Sequence, residues 1–369
     1  MEDSEAKRLR RLAVDIFSVR SATRNVNYTV NRIKKGNRFV CDCEDHMYRH
    51  NPRCEHIALV QKSLKEAEEA RTSKEKTLVL KRRSKISACP YCGSKDIKKF
   101  GVRHNKLHDV QKLNCKDCRR TFSDNLGFEK MRFSPQTITE ALQLFFSGES
   151  LRNIEKYFKL QGIIVSHKTV YMWIVKYTKV MKQFIDREVT PNVGDVWRAD
   201  EVYLKIRGEL KYVFSLMDDE TRFWIAQEIA DRKQDHDARG LLKEGKRVSR
   251  TIPNVFITDG LRSYNEAYRR EFWARSRHKR PVHIQHIHLQ GDMNNNRMER
   301  FNGEFRDREK VFRGIKTTDS VIVDGLQIYH NYIRPHMSLD GKTPADMCGI
   351  EVQGKNKWLT MIENASYET

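Results

Sequence analysis

The stretch Val196-Trp197-Arg198-Ala199-Asp200-Glu201-Val202-Tyr203-Leu204-Lys205-Ile206 decides how the rest of the chain is read. It reads as a strand with an acid in its middle. Working outward, Leu210 to Leu216 and Arg222 to Ile229 read as two more strands, joined by a turn at Asp218-Asp219-Glu220. Asn254-Val255-Phe256-Ile257-Thr258-Asp259-Gly260 reads as a buried strand that ends on an acid. Asn294-Asn295-Asn296-Arg297-Met298-Glu299-Arg300-Phe301 opens a long polar helix. The three turn acids are expected to be solvated, as acids in turns commonly are. Glu201 follows Asp200 directly, so strand alternation sends it to the opposite face. Asp292 is a substitute for Glu299, but it precedes the expected helix. Trp197 is expected to pack in the core.

An acid on a first strand, an acid ending a fourth strand and an acid on the following helix resemble the DDE transposases and retroviral-type integrases. The resemblance covers about Val196 to Ile350 and includes Asp200, Asp259 and Glu299 in that order, with 58 and 39 residues between successive acids. It also includes the Thr258-Asp259-Gly260 strand end, the Asn-rich lead-in to Glu299, and the run from Asn331-Tyr332-Ile333-Arg334-Pro335-His336 to Lys342-Thr343-Pro344-Ala345. It implies an α/β ribonuclease H-like core and two Mg²⁺ or Mn²⁺ ions, Asp200 bridging both, Asp259 holding one and Glu299 the other. The chemistry asks for carboxylates because hard cations prefer oxygen ligands. Such a pair activates the attacking hydroxyl and neutralises the leaving oxygen of a phosphodiester. The implied reaction is hydrolysis at transposon ends, exposing 3′-OH groups that then attack target DNA.

The resemblance further implies a basic residue two helical turns after the Glu, here Arg306, as a phosphate contact. Arg300 and Arg308 extend that basic face, with Lys310 and Arg313 beyond. The partners implied are the terminal inverted repeats, the target DNA and a second copy of the chain in a dimer or larger assembly. A DNA-binding regulator derived from a transposase, or a resolvase-type nuclease of the same core fold, are the competing readings. The presence of all three acids opposes the first. The cysteine clusters oppose the second.

Four cysteines lie as Cys89-Pro90-Tyr91-Cys92 and Cys115-Lys116-Asp117-Cys118, with 22 residues between the pairs. Two such knuckles complete a closed tetrahedral Zn²⁺ site that is structural rather than catalytic. Gly93 supplies the backbone freedom such a turn needs. A redox pair is the alternative. Upstream, Cys41, Cys43, Cys54 and His56 form a CxC…CxH arrangement, with His46 and His50 as possible substitutes. This cluster resembles a SWIM-type zinc finger over Tyr28 to Val60, which implies a second structural Zn²⁺. Cys348 stands apart and reads as a small buried hydrophobe.

Between the cysteines and the acids, three helices are punctuated by Ser134-Pro135, Gly148, Ser150, Gly162 and Ser166, with serines as N-caps and proline at a first helical position. This fits a helix-turn-helix whose recognition helix runs from Ser166 to Lys179, bringing His167, Lys168 and Thr169 to DNA. A plain helical connector is the alternative. His283, His286 and His288 read as a surface strand near the DNA path rather than a further metal site.

The expected division is therefore a SWIM-like finger at 1–71, a basic linker at 72–88, a zinc ribbon at 89–130, the helix-turn-helix at 131–190, the catalytic core at 191–350 and a tail at 351–369. Charge supports a polyanionic partner. The net charge is +21, and residues 1–190 hold 40 Lys+Arg against 22 Asp+Glu, while 191–369 hold 30 against 27. No run of 18 apolar residues is present, and Met1 to Phe17 lacks the apolar centre of a secretory signal, so a cytoplasmic, nucleoid-associated protein with reduced cysteines is expected.

Overall fold

The computed structural model describes residues 9–13, 16–33, 38–49, 51–52, 54–73, 78–83, 86, 88–104, 109–123, 125–206, 209–275, 280–285, 296–310 and 321–367. His50, His286, His288, Asp292, Asn294, Asn295 and Arg313 lie outside the described residues. The chain divides into two compact units. One holds 1–77, 192–203 and 212–302; the other holds 78–191, 204–211 and 303–369.

In the first unit, β1 (Leu9–Ala13), β2 (Ile16–Arg20), β3 (Asn27–Ile33) and β4 (Arg38–Cys41) form an antiparallel meander. The Glu55–Ser73 helix follows, and Phe17, Val19, Val30, Ile57 and Val60 make a small core around the cysteines. A meander this small buries little apolar surface, which is the situation in which metal ligation supplies stability.

The same unit carries a five-stranded sheet. Its strands are β9 (Val196–Ile206), β10 (Glu209–Asp218), β11 (Trp224–Ala230), β12 (Val255–Thr258) and β13 (Val282–Gln285), in the order β11-β10-β9-β12-β13. β10 and β11 are antiparallel, and β12 runs parallel to both β9 and β13. This is the ribonuclease H-like arrangement, with the first strand central and the fourth beside it. Val196, Trp197, Arg198 and Ala199 are all buried, so β9 is covered on both faces. The parallel step from β11 to β12 needs a crossover, which the Asp235–Ser249 helix provides.

In the second unit, β5 (Leu78–Leu80) runs parallel to β14 (Ile350–Val352), and β6 (Ile97–His104), β7 (Asp109–Cys115) and β8 (Thr121–Ser123) form an antiparallel ribbon. Three helices follow at Pro135–Ser147, Leu151–Leu160 and His167–Glu188, each started by a serine that accepts a backbone N–H. The third runs past Lys179 because Met181 and Phe184 continue its buried stripe.

Two expected boundaries are corrected. Residues 72–88 are not a plain linker, because β5 lies within them and Arg82 makes a two-pronged pair with Glu363 at 2.9 Å on each arm. Residues 351–369 are not a free tail. Their Lys357–Tyr367 helix buries Trp358, Leu359, Met361 and Ile362, and the Trp358 Nε1–H donates to Gln143 Oε1 at 2.9 Å. The driving force is apolar burial: Trp358 stacks on Phe146 and Tyr329 with ring centroids 5.5 and 6.3 Å away.

Gly325, in the Val321–Ile328 helix, meets this cluster so closely that an added Cβ would lie 2.1 Å from Phe146 Cζ. Gly325→Ala is expected to destabilise the protein by about 1–3 kcal/mol through overpacking. Urea denaturation reads this directly, and an unchanged midpoint would show that Phe146 moves aside freely.

Candidate metal centres and active site

Asp200 sits in the middle of β9 and is partly buried. Asp259 follows the last residue of β12, and its Oδ1 accepts the Leu261 N–H at 3.0 Å across a turn that Gly260 makes possible at φ +95°. Because β9 and β12 are parallel neighbours, the two acids meet at one sheet end. Asp200 is fixed twice: Oδ1 accepts the Glu201 N–H and Oδ2 accepts the Asn302 Nδ2–H, both at 2.9 Å.

One acid of the cluster was missed by sequence reasoning. Ligand atoms of Asp200, Glu201 and Asp259 all lie within 4.8 Å of one another. Glu201 is paired with Lys233, receives the Tyr264 hydroxyl at 3.4 Å and is 8% exposed. Alternation alone did not exclude it, because Asp259 lies just beyond the end of β12, where no strand geometry assigns it to a face. Burial, then the charges of Glu201 and Asp259, raise the Asp200 carboxyl to about 7. All donors are carboxylate oxygens, which fits a hard divalent ion and suits no soft metal.

Glu299 is not one of those three. It lies exposed in the first turn of the Asn296–Glu309 helix, three residues before Asn302 and so one turn away along nearly the same side. Met298, Phe301 and Asn302 bury the other part of that turn, with Phe301 edge-on to Trp224 at 4.7 Å.

Two of the three turn acids, Asp218 and Asp219, are corrected. Both are fully buried, not solvated. Asp218 accepts the Thr221 N–H at 3.0 Å and the Thr221 hydroxyl. Asp219 is gripped by Arg198 and Arg297, and Arg297 Nη1 also donates to the Asp219 carbonyl oxygen at 3.1 Å. Arg297 stands two residues before Glu299, so its pairing with buried Asp219 anchors the start of the acid-bearing helix. His283 is likewise a packed ring rather than a surface residue. It stacks on Phe256 and Tyr268 with centroids 5.1 and 4.9 Å away, faces the Thr258 hydroxyl at 3.0 Å, and burial lowers its pKa to about 4.

Both cysteine clusters converge. Ligand atoms of Cys41, Cys43, Cys54 and His56 lie within 4.8 Å of one another and all four residues are buried. The same holds for Cys89, Cys92, Cys115 and Cys118, whose Cys89–Cys118 and Cys92–Cys115 sulfurs are 3.5 and 3.6 Å apart. Those separations exceed a disulfide bond of about 2.0 Å and suit thiolates around one ion. Among the expected DNA contacts, Lys168, Arg300 and Arg306 are exposed. His167 is tied to Glu155 at 2.7 Å, Thr169 to Ser166 at 3.0 Å, and Arg308 to the Ser147 carbonyl oxygen.

Residues 194–336 match a family model described as a DDE domain. The transposase of the insertion sequence-like element IS431mec from Staphylococcus aureus strain Mu50 is 28% identical over 120 residues, covering 31% of this chain and 51% of the relative. The transposase of insertion sequence IS257 in transposon Tn4003, from the same species, gives the same figures. The chain thus spans about half the length of the curated relatives it matches. Among solved structures, the HTLV-2 integrase catalytic core domain in complex with magnesium is similar at 15% identity and a TM-score of 0.32, covering 44% of this chain and 99% of that one. A chain of the simian T-cell lymphotropic virus intasome in complex with PP2A regulatory subunit B56 gamma gives 16%, 0.34, 44% and 55%. Among the described residues, no helix is long and apolar enough to cross a membrane.

Proposed function

With a DDE domain at residues 194–336 as the premise, we propose that the chain is a DNA transposase that cleaves phosphodiesters at transposon ends and joins the 3′-OH groups to target DNA. One observation carries this reading: Asp200 and Asp259 converge, and Asn302, one turn from Glu299, donates to Asp200. Asp200, Asp259 and Glu299 would hold two Mg²⁺ or Mn²⁺ ions, which when bound activate the attacking oxygen and offset charge on the leaving one. The residues themselves do the rest. Asp200 is held in one orientation by two N–H donors, and Arg297 on buried Asp219 fixes the turn that bears Glu299. Exposed Arg300 and Arg306 lie along the same helix as phosphate contacts.

In the same reading, the basic first half grips the terminal repeats. The helices from Pro135 to Glu188 act as a helix-turn-helix that presents Lys168, His167 and Thr169, and the two cysteine clusters hold one structural Zn²⁺ each. The assembly on DNA is a homodimer or larger, since two ends must be brought together.

The test is cleavage of a supercoiled plasmid bearing the element's ends, with Mg²⁺. Glu299→Gln is expected to lose about 10³-fold or more of the rate, the size of removing several kcal/mol of charge stabilisation. Glu201→Gln, which leaves the three acids in place, is expected to keep most of it. The reverse ranking would assign the third acid to Glu201 instead.

Zinc content gives a separate prediction. Purified protein is expected to contain two Zn²⁺ per chain by elemental analysis. Cys115→Ser is expected to release one of them and unfold the ribbon, because a structural zinc site supplies folding energy outright. Metal-free protein that keeps its ribbon folded would contradict the assignment.

A further inference from the structure

The Asn302 side chain is 4% exposed, and its two polar atoms have different fates. Nδ2 donates to Asp200 Oδ2 at 2.9 Å, while Oδ1 is buried and has no hydrogen-bond partner among the described residues. The amide nitrogen faces Asp200 as a donor, which leaves the oxygen as the remaining acceptor. A buried acceptor without a donor is costly, on the order of 1–3 kcal/mol.

We infer that Asn302 is a positioning residue of the divalent-metal centre, its Nδ2–H orienting Asp200 and its Oδ1 accepting from the hydrated shell of the bound ion. This rests on the metal-dependent reading above and adds to it an amide that none of the three acids explains. The amide suits the role on two counts. It is neutral, so it adds an oxygen to an already anionic cluster without further repulsion, and hard divalent ions take amide oxygens readily. It also shares a helix with Glu299 one turn away, so seating the ion would draw on both residues of that helix.

The experiment is Mn²⁺ titration of the full chain, followed by calorimetry and by the loss of the free-ion paramagnetic signal, with thermal melts alongside. The variants are Asn302→Leu, Asn302→Asp and Asp200→Asn. Asn302→Leu removes both polar atoms at similar volume and is expected to weaken Mn²⁺ binding about 10–100-fold, the usual penalty for losing a group that supports metal ligands. Asn302→Asp keeps the oxygen and adds a charge. It is expected to melt lower than wild type without metal, to gain more on Mn²⁺ addition, and to bind Mn²⁺ at least as tightly as wild type.

Wild-type affinity in Asn302→Leu would overturn the inference. Equal weakening in both Asn302 variants would also overturn it, since only the N–H would then matter. Asp200→Asn is the control for the premise. If it binds Mn²⁺ like wild type, the metal centre itself is misplaced, whatever the Asn302 variants do.

Discussion

Asp200→Asn is expected to abolish plasmid cleavage while raising the melting temperature of the metal-free protein. The two effects share one cause. Asp200 is partly buried, and its carboxylate oxygens lie within 4.8 Å of ligand atoms of Glu201 and Asp259. Without a cation, this gathers like charges in a poorly solvated place, and neutralising one of them removes repulsion. The gain is about 1–2 kcal/mol, comparable with other substitutions that relieve strained functional sites. Asparagine keeps the side-chain volume, so no cavity term opposes it. With Mg²⁺ present the sign reverses, because the wild type gains binding energy that the variant lacks. Cleavage is expected to fall by at least about 10³-fold, since a carboxylate that would hold the ions is gone. Melts with and without Mg²⁺ read the crossing. A variant that melts below wild type in chelator would mean that Asp200 stabilises the fold and is not held there for a cation.

The acid-bearing core was legible because its signals are local and repeated. Asp200 and Asp259 end up together because two parallel neighbouring strands must bring equivalent ends to one edge, and the hydrophobic runs Val196–Ala199 and Val255–Ile257 show which strands are central. Ser134, Ser150 and Ser166 were readable as caps for the same reason: a side-chain oxygen three residues before an orphan N–H is a local event. The cysteine pairs carried their own geometry in their spacing. Thr343-Pro344-Ala345-Asp346 proves to be a capping box with proline at the first helical position, so this part of the family-like motif has a structural reason here.

What stayed hidden depends on partners distant in the chain. Leu78-Val79-Leu80 is three apolar residues inside a basic run, and nothing local says that Ile350–Val352 will pair with it. The Lys357–Tyr367 helix looked like a tail because its apolar face makes sense only against Phe146 and Tyr329. Asp219 looked like a turn acid because its counter-charges come from Arg198, 21 residues earlier, and Arg297, 78 residues later. Strand alternation sends Glu201 to the face opposite Asp200, a rule for strand interiors that says nothing of Asp259, which follows the end of its strand.

Asp219→Asn is expected to be among the most destabilising single substitutions in the chain, at about 3–5 kcal/mol near neutral pH, because removing one partner of a buried ion pair strands the other. Asp219 is 0% exposed and Arg198 3%, so the guanidinium could not recover its hydration without opening the sheet. Burial alone would raise the Asp219 carboxyl, but Arg198, Arg297 and Arg222 outweigh it and hold the group below the ordinary carboxylate value. A lowered folded-state pKa means stability that is present above the unfolded value of about 4 and lost as pH falls through the folded one. The penalty of the variant should therefore be full at pH 7 and shrink below about pH 4, where the unfolded wild-type chain begins to take up the proton that the folded state still excludes. Asp218 runs the other way: burial raises it to about 6, so its contribution is present at low pH and gone above that value. Denaturant midpoints from pH 3 to 7 for wild type, Asp219→Asn and Asp218→Asn separate the two. In conditions where Asp219→Asn stays folded, cleavage should fall as well, because Arg297 loses the carboxylate that fixes the turn bearing Glu299. A pH-independent penalty below about 1 kcal/mol, the range of an exposed pair, would show that the buried arginines do not depend on Asp219.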